Sequence, residues 1–545
     1  MAVKSSGEDS CDPGAEKGVS EEAARPRAKW ANKMEFFLCA STQTTSYNFM
    51  WIFPFFCIHY GGAVFLIPYC VSLFFCGMPL LLLGLAMGQY TSESGVTAWK
   101  KICPMFQGIG IASMVILIYM SISSELLMPV WSLLYLYNSV KSPLPWTTCD
   151  NAWNTEMCVS RTNPASSNTS VGQRDDEWMN LTTGFYDISE TAEMEFWRSI
   201  NPTQTDNAWN DKFGSPLHWS LIPCLFIVWV LCYFCTWKGI KYTGKIMYMV
   251  AFPYLLLIIL FIRSVTLPGA GEGLKYLFIP DFHVFSSPYI WMFSVSYSLH
   301  FATSTGVRTT LGSYNKYNND CYRDTLILCA LHVATIIFFN CIAFSFIGFV
   351  AHIEEASFND VMRTGTDMLF VLVPKALSLV AGSSFWTVLY FFMTILFTLS
   401  HQIVLVESLA TNVNDLLPRY LRKRHARELV VLAVCGLCLL VWLLIITKGG
   451  LFFLQLVDYY ALSFTITYFI VCFETIVVAW VYGADRFYDN IADMIGYVPF
   501  PVLKYCWLFI TPLVCAVGSI CGFLSGFDVC SFQKHLSNPG VFLSY

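Results

Sequence analysis

Glu125, His300, Arg308, His332, His401 and Asp458 each lie inside a stretch of sequence that is otherwise apolar over the thickness of a bilayer. An ionisable side chain at the centre of a membrane helix costs about 3 kcal/mol, so such groups face cavities, pair with one another and mark solute or ion paths. Imidazole changes its charge near neutral pH, and a carboxylate beside it stabilises the charged form. These residue types therefore suit a titratable positive charge held opposite an acid. Three histidines and one acid are also a donor set that zinc accepts, but no short His spacing of the kind metal motifs use is present. A third reading leaves the histidines as ordinary hydrogen-bonded interior groups.

The elements that must position these residues are membrane helices. In 545 residues, 56% are hydrophobic, 17% aromatic and only 13% charged, a composition that cannot fold in water without exposing apolar surface. Stretches of about 20 apolar residues fall near 35–59, 63–90, 108–138, 217–237, 246–265, 290–312, 324–351, 386–412, 429–447, 450–481 and 501–526. The sequence thus predicts an all-α polytopic membrane protein of about eleven spans. In the first of them Pro54, followed by Gly61 and Gly62, interrupts the apolar run, and interrupted spans are where carriers unwind a helix around a solute.

Residues 1–33 are polar and carry Arg25, Arg27, Lys29 and Lys33 just before the first span, which predicts a cytosolic N-terminal tail and no cleavable signal peptide. Spans one to three (34–138) then lead to one long polar insertion at 139–216. It holds Cys149 and Cys158, nine apart, and N-x-S/T sequons at Asn168 and Asn180. An extracellular, glycosylated loop with a Cys149–Cys158 disulfide fits that composition. Spans four to eleven (217–526) and a short tail (527–545), expected outside, complete the chain. The net charge of −5, without long basic blocks, gives no support for nucleic acid binding. No phosphate loop, nucleophile elbow or His-Glu-x-x-His run points to an enzyme.

An ordered set of motifs adds to this reading. It comprises Arg27-Ala28-Lys29-Trp30, Gly88-Gln89-Tyr90-Thr91-Ser92, Leu144-Pro145-Trp146, Ser313-Tyr314-Asn315-Lys316, Asp458-Tyr459-Tyr460 and Trp480-Val481-Tyr482-Gly483. On these residues the chain resembles the sodium- and chloride-dependent neurotransmitter transporter family, nearest its GABA, taurine, betaine and creatine branch. The resemblance runs from about Arg27 to Pro512 and implies the LeuT-like fold. There, two inverted five-helix repeats hold solute, sodium and chloride between unwound first and sixth spans. The family's twelfth span has no counterpart after residue 526.

Alkali cations need hard oxygen ligands, and those are the positions that have changed. Aligned on the family, the ion-site positions are Thr44, Phe49, His300, His332, Phe397, Ser400 and His401, and the chloride-site positions are Tyr69, Ser296 and Ile336. Of the chloride positions only Tyr69 plainly keeps its family type. The arginine of the outer gate is Ile52, which leaves Asp458 to hold its proton more tightly, to pull in another donor, or simply to hydrogen-bond backbone. The third-span tyrosine that touches substrate carboxylate falls on Glu125. Glu125, Leu299, Thr305 and Asp458 are thus the expected cavity positions, and Glu125 with the three histidines is expected to line the cavity.

The resemblance implies a secondary-active carrier of a small amine or amino-acid-like solute. Its ion-binding side chains are largely replaced, so coupling through sodium and chloride is expected to differ. A glutamate facing the carboxylate position favours a cationic solute. A non-transporting membrane protein with a binding or regulatory role is the alternative. The expected partners are the solute and the lipid bilayer, with a homo-oligomer permitted by the sequence, and the expected location is the plasma membrane or an intracellular one.

Overall fold

A computed structural model describes residues 27–45, 47–156, 158–159, 190–201, 219–302, 306–363, 365–417, 425–447, 450, 453–454, 457–458 and 464–526. Among them, seven helices are long and apolar enough to cross a bilayer: Gly62–Thr91, Ile240–Val265, Cys321–Glu354, Ser383–Leu416, Ala426–Ile445, Ile466–Ile495 and Val502–Ile520. The other four expected spans fall on stretches whose helices are broken or shorter.

The first span is broken where the sequence reading did not place the break. Helix α1 (Lys33–Thr44) ends before Thr45, whose φ of −114° and ψ of 55° leave the helical region, and α2 begins at Tyr47 (Tyr47–His59). Pro54 lies inside α2 without ending it, and Gly61 and Gly62, at φ of 74° and 69°, turn the chain into the next helix α3 (Gly62–Thr91). The cause of the break is the run from Ser41 to Thr45. Ser41, Thr42 and Thr44 turn their hydroxyls back onto the carbonyls of Leu38, Cys39 and Ser41 at 2.9, 2.8 and 3.2 Å, competing with the helical ladder.

The third span breaks in a similar way. Helix α4 (Gln107–Met120) gives way to Ser121–Ser123, a 3-10 turn over Ser124–Leu126, and α5 (Leu127–Ser139). Ser121 and Ser123 bond back to Leu117 and Met120, and Pro129 has no N–H to offer the Glu125 carbonyl. Glu125 therefore sits in an irregular turn rather than on a helix face. The sixth span is also in two pieces, α6 (Pro288–Ala302) and α7 (Val307–Ser313), the second entered through Gly306 at φ 73°.

Close backbone contacts hold the bundle together. A Cβ on Gly88 would lie 1.9 Å from the Thr309 carbonyl oxygen, and one on Gly312 would lie 2.4 Å from that of Leu85, so α3 and α7 touch through glycine alone. The outer helices turn large apolar side chains away from the protein, such as Ile258, Ile262, Leu440 and Leu444. That inside-out pattern belongs to a protein solvated by lipid.

The Cys149–Cys158 disulfide is formed. Cys158–Val159 pairs in parallel with Glu190–Thr191, the one strand pairing among the described residues. Glu195 ties this region together by accepting from the Asn154 amide at 2.9 Å and the Thr155 backbone N–H at 3.1 Å. Asn168 and Asn180 lie outside the described residues, as does the tail 527–545.

At the end of the bundle that carries the N-terminal segment, Arg27 pairs with Asp415 at 2.6 Å and Lys33 with Asp324 at 2.7 Å. Lys29 adds bonds to the Ser92 hydroxyl and the Ser313 carbonyl at 3.0 and 2.9 Å. These contacts join the approach to α1 with the ends of α3, α7 and Ser383–Leu416 (α8), so this end is shut.

Candidate functional site

The break in α1 leaves the carbonyls of its last turn without intrahelical donors at the negative end of the helix dipole. The His401 imidazole comes to one of them. His401, midway along α8, places Nδ1 3.1 Å from the Thr42 carbonyl oxygen and Nε2 3.3 Å from a carboxylate oxygen of Glu125. The amide of Gln43 donates to the His401 carbonyl at 3.1 Å, a second tie between α1 and α8. The His332 ring, on Cys321–Glu354 (α9), meets the backbone of Thr44, two residues further along.

The partners of His401 determine its proton count. A carbonyl oxygen and an ionised carboxylate only accept hydrogen bonds, so both contacts are made when both ring nitrogens carry hydrogen. If the shared proton sits on Glu125 instead, the pair as a whole holds the same number. Glu125 and His401 keep side-chain accessibilities of 17% and 15% although they lie deep among helices, so they border an internal space. His300, near the end of α6, stands within electrostatic reach of Glu125, His401 and Arg308.

His332 stands one layer away. Its side chain is fully enclosed, with Nε2 2.7 Å from the Tyr69 hydroxyl and its ring 4.4 Å from that of Phe301. Arg308 stacks on the same Phe301 ring at 5.0 Å. Of the four ionisable residues expected to line one cavity, Glu125, His300 and His401 come together, whereas His332 packs behind Phe301.

Asp458 has found a donor: the Tyr119 hydroxyl bonds to its carboxylate. Tyr119 also lies within electrostatic reach of Glu125, so both acids meet around one phenol. Ser400 is turned away, its hydroxyl bonding back to the Leu396 carbonyl at 2.5 Å. Ser296 is engaged by the Tyr468 hydroxyl at 2.7 Å, and Phe397 packs edge-on against Tyr254 at 5.2 Å. Leu299 and Ile336 are enclosed in the core. Thr305 lies outside the described residues, and of Phe49 only the backbone, within α2, is described.

The sequence reading missed Tyr119, Thr42 and Gln402. Gln402 donates to the Ser121 carbonyl at 3.0 Å and so braces the turn that presents Glu125. A phenol six residues before an intramembrane acid, and an amide beside an intramembrane histidine, are the signals that pointed to them. Among the described residues no group of three or more His, Cys, Asp or Glu is placed to hold a metal ion.

Membrane-length helices around interrupted ones, whose exposed backbone meets ionisable side chains at mid-depth, are the build of a secondary solute carrier. The profile of the "Sodium:neurotransmitter symporter family" matches residues 27–536, and the chain belongs to that family. It is 41% identical over 499 residues to "Sodium- and chloride-dependent GABA transporter 2" of Rattus norvegicus, covering 91% of this chain and 80% of the relative. The Homo sapiens protein of the same name is 42% identical over 499 residues, again with 91% and 80% covered. The "Sodium- and chloride-dependent taurine transporter" of Bos taurus is 38% identical over 491 residues, with 90% and 77% covered. These relatives are transporters and not enzymes.

Proposed function

We propose that this protein is a secondary-active carrier of a small amine or amino-acid-like solute in which imidazole N–H groups take the places of the alkali cations. The observation that carries the proposal is the His401 ring lying between the Thr42 carbonyl and the Glu125 carboxylate. A cation at the end of a broken helix neutralises orphan carbonyls and any acid nearby, and a protonated imidazole does both. A sodium ion needs hard oxygen ligands. Here the aligned positions offer His332, His401 and a Ser400 hydroxyl committed to its own helix, and the neighbouring Thr42 carbonyl is already engaged. The aligned chloride positions offer Ile336, a Ser296 held by Tyr468, and a retained Tyr69 whose hydroxyl is bonded to His332.

Two inverted five-helix repeats, with the breaks of the first and sixth spans facing each other, would give this site access to either side in turn. The ion pairs around Arg27 and Lys33 would close the cytosolic side. The plasma membrane is the proposed location.

The test is uptake of labelled amines, amino acids and osmolytes into proteoliposomes of purified protein, with sodium, chloride and pH varied independently. Saturable flux that persists without sodium and chloride is the expected result, and flux that requires sodium refutes the imidazole assignment. Absence of any flux from folded protein would instead favour a non-transporting binding or regulatory role.

A further inference from the structure

We infer that the Glu125–His401 pair exchanges its shared proton for one cationic solute, so that the carrier runs as an electroneutral solute-cation/proton antiporter. The inference rests on the carrier reading above and adds the charge of the solute and the stoichiometry. Among the described residues, Nε2 of His401 faces the Glu125 carboxylate and Nδ1 the Thr42 carbonyl. A neutral imidazole satisfies one of these two acceptors and an imidazolium both. An ammonium or guanidinium group entering the internal space donates its N–H to the Glu125 carboxylate and takes the place of the Nε2 proton, which leaves to water. His401 remains neutral, with Nδ1–H still on Thr42. The pair carries −1 and +1 before the exchange. Afterwards Glu125 carries −1 and the solute +1, so the charge within the membrane is constant through the cycle.

The surroundings are consistent with a cation. Around the pair, Glu125 lies within electrostatic reach of His300 on α6 and of Tyr119 on α4, Asp458 accepts from the Tyr119 hydroxyl, and Arg308 on α7 reaches His300 from beside Phe301. Asp458 brings a negative charge and Tyr119 a neutral donor that is bound to it, and the positive charge of Arg308 acts on His300. The second titratable ring, His300, shares the electrostatic neighbourhood.

The experiment uses full-length protein in proteoliposomes with labelled methylguanidinium and choline as probes, since neither crosses the lipid as a neutral base, and with labelled taurine and a neutral sugar alcohol for comparison. An acid interior should drive accumulation of a cationic probe at least ten-fold above the value without a gradient. A valinomycin-imposed potential should leave this flux unchanged. In His401→Gln, whose amide still donates to the Thr42 carbonyl, the pH drive should vanish and the flux should become sensitive to potential. His283→Gln, at an exposed histidine outside the site, should keep the pH drive.

Cation flux that ignores the pH gradient overturns the antiport while leaving a carrier, as does flux confined to taurine or the sugar alcohol. A pH drive kept in His401→Gln overturns the assignment to His401. Absence of flux for every probe, from protein shown to be folded, overturns the carrier reading itself.

Discussion

A carrier has to open the end that is shut here, so the contacts around Arg27 cannot be worth more than a few kcal/mol, and their value can be worked out. Arg27 donates to Asp415 at 2.6 Å with side-chain accessibilities of 14% and 23%, and its guanidinium lies 4.9 Å over the Tyr314 ring. A hydrogen bond between charged groups contributes about 1.5–3 kcal/mol when sheltered, and less where water reaches it. The cation–π contact adds about 0.5–1 kcal/mol. Nε and Nη2 of Arg27 make no hydrogen bond among the described residues, a desolvation cost that pulls the sum to about 2 kcal/mol. At 1.4 kcal/mol per factor of ten, Arg27→Ala should raise the open population of this end by roughly 30-fold. Hydrogen exchange read by mass spectrometry should show protection of the amides in α1 and in Gly95–Ile102 falling by that factor, with little change at the disulfide end. Asp415 also accepts from the Ser94 N–H at 3.1 Å, so Asp415→Asn should cost more than Arg27→Ala. The double variant should fall well short of the sum. A change under about three-fold, or full additivity, would refute the claim that this pair holds the end shut.

Other tests follow from single contacts. His332→Ala leaves the fully buried Tyr69 hydroxyl without its 2.7 Å partner and removes a ring from beside Phe301, and should destabilise the protein by about 3–5 kcal/mol. His332→Asn, which keeps a polar partner, should cost less than half as much, and equal losses in thermal unfolding would contradict the bond. Restoring the family's residues together, Phe49→Asn, His332→Asn, Ser400→Asp and His401→Ser, should confer sodium-dependent thermal protection that the parent lacks. Equal protection of both proteins by sodium would sink the alignment of ion sites. Glu193 lies in the loop region, where burial raises its carboxyl above the usual range and the Lys375 charge only partly opposes this. A raised acid contributes its stability below its unfolded value and loses it as pH rises through the folded one. Glu193→Gln should therefore raise the unfolding temperature more at pH 7 than at pH 4, and a uniform shift at both would remove burial as the cause.

Sequence alone determined the solvent, the helical class and the family. A bilayer accepts only chains whose apolar stretches match its thickness, and motifs such as Ser313-Tyr314-Asn315-Lys316 are local and ordered. It also placed Glu125 and the three histidines inside the spans and showed that Asp458 had lost its arginine, without saying whether the acid would stay protonated, bond backbone or take the new donor that Tyr119 supplies.

What the sequence misplaced was the break in the first span. Proline and glycine drew attention to Pro54 and Gly61, but a membrane helix accommodates a proline. The weaker signal, a run of hydroxyl side chains from Ser41 to Thr45, set the break through bonds back to its own ladder. Pairing was decided only by tertiary structure. His332, His401 and Glu125 are separated by 69 to 276 positions, and no local rule says which ring meets which carbonyl. That choice follows from how α8 and α9 cross the broken end of α1. The crossing gives His401 an acid and a space, and encloses His332 behind Phe301.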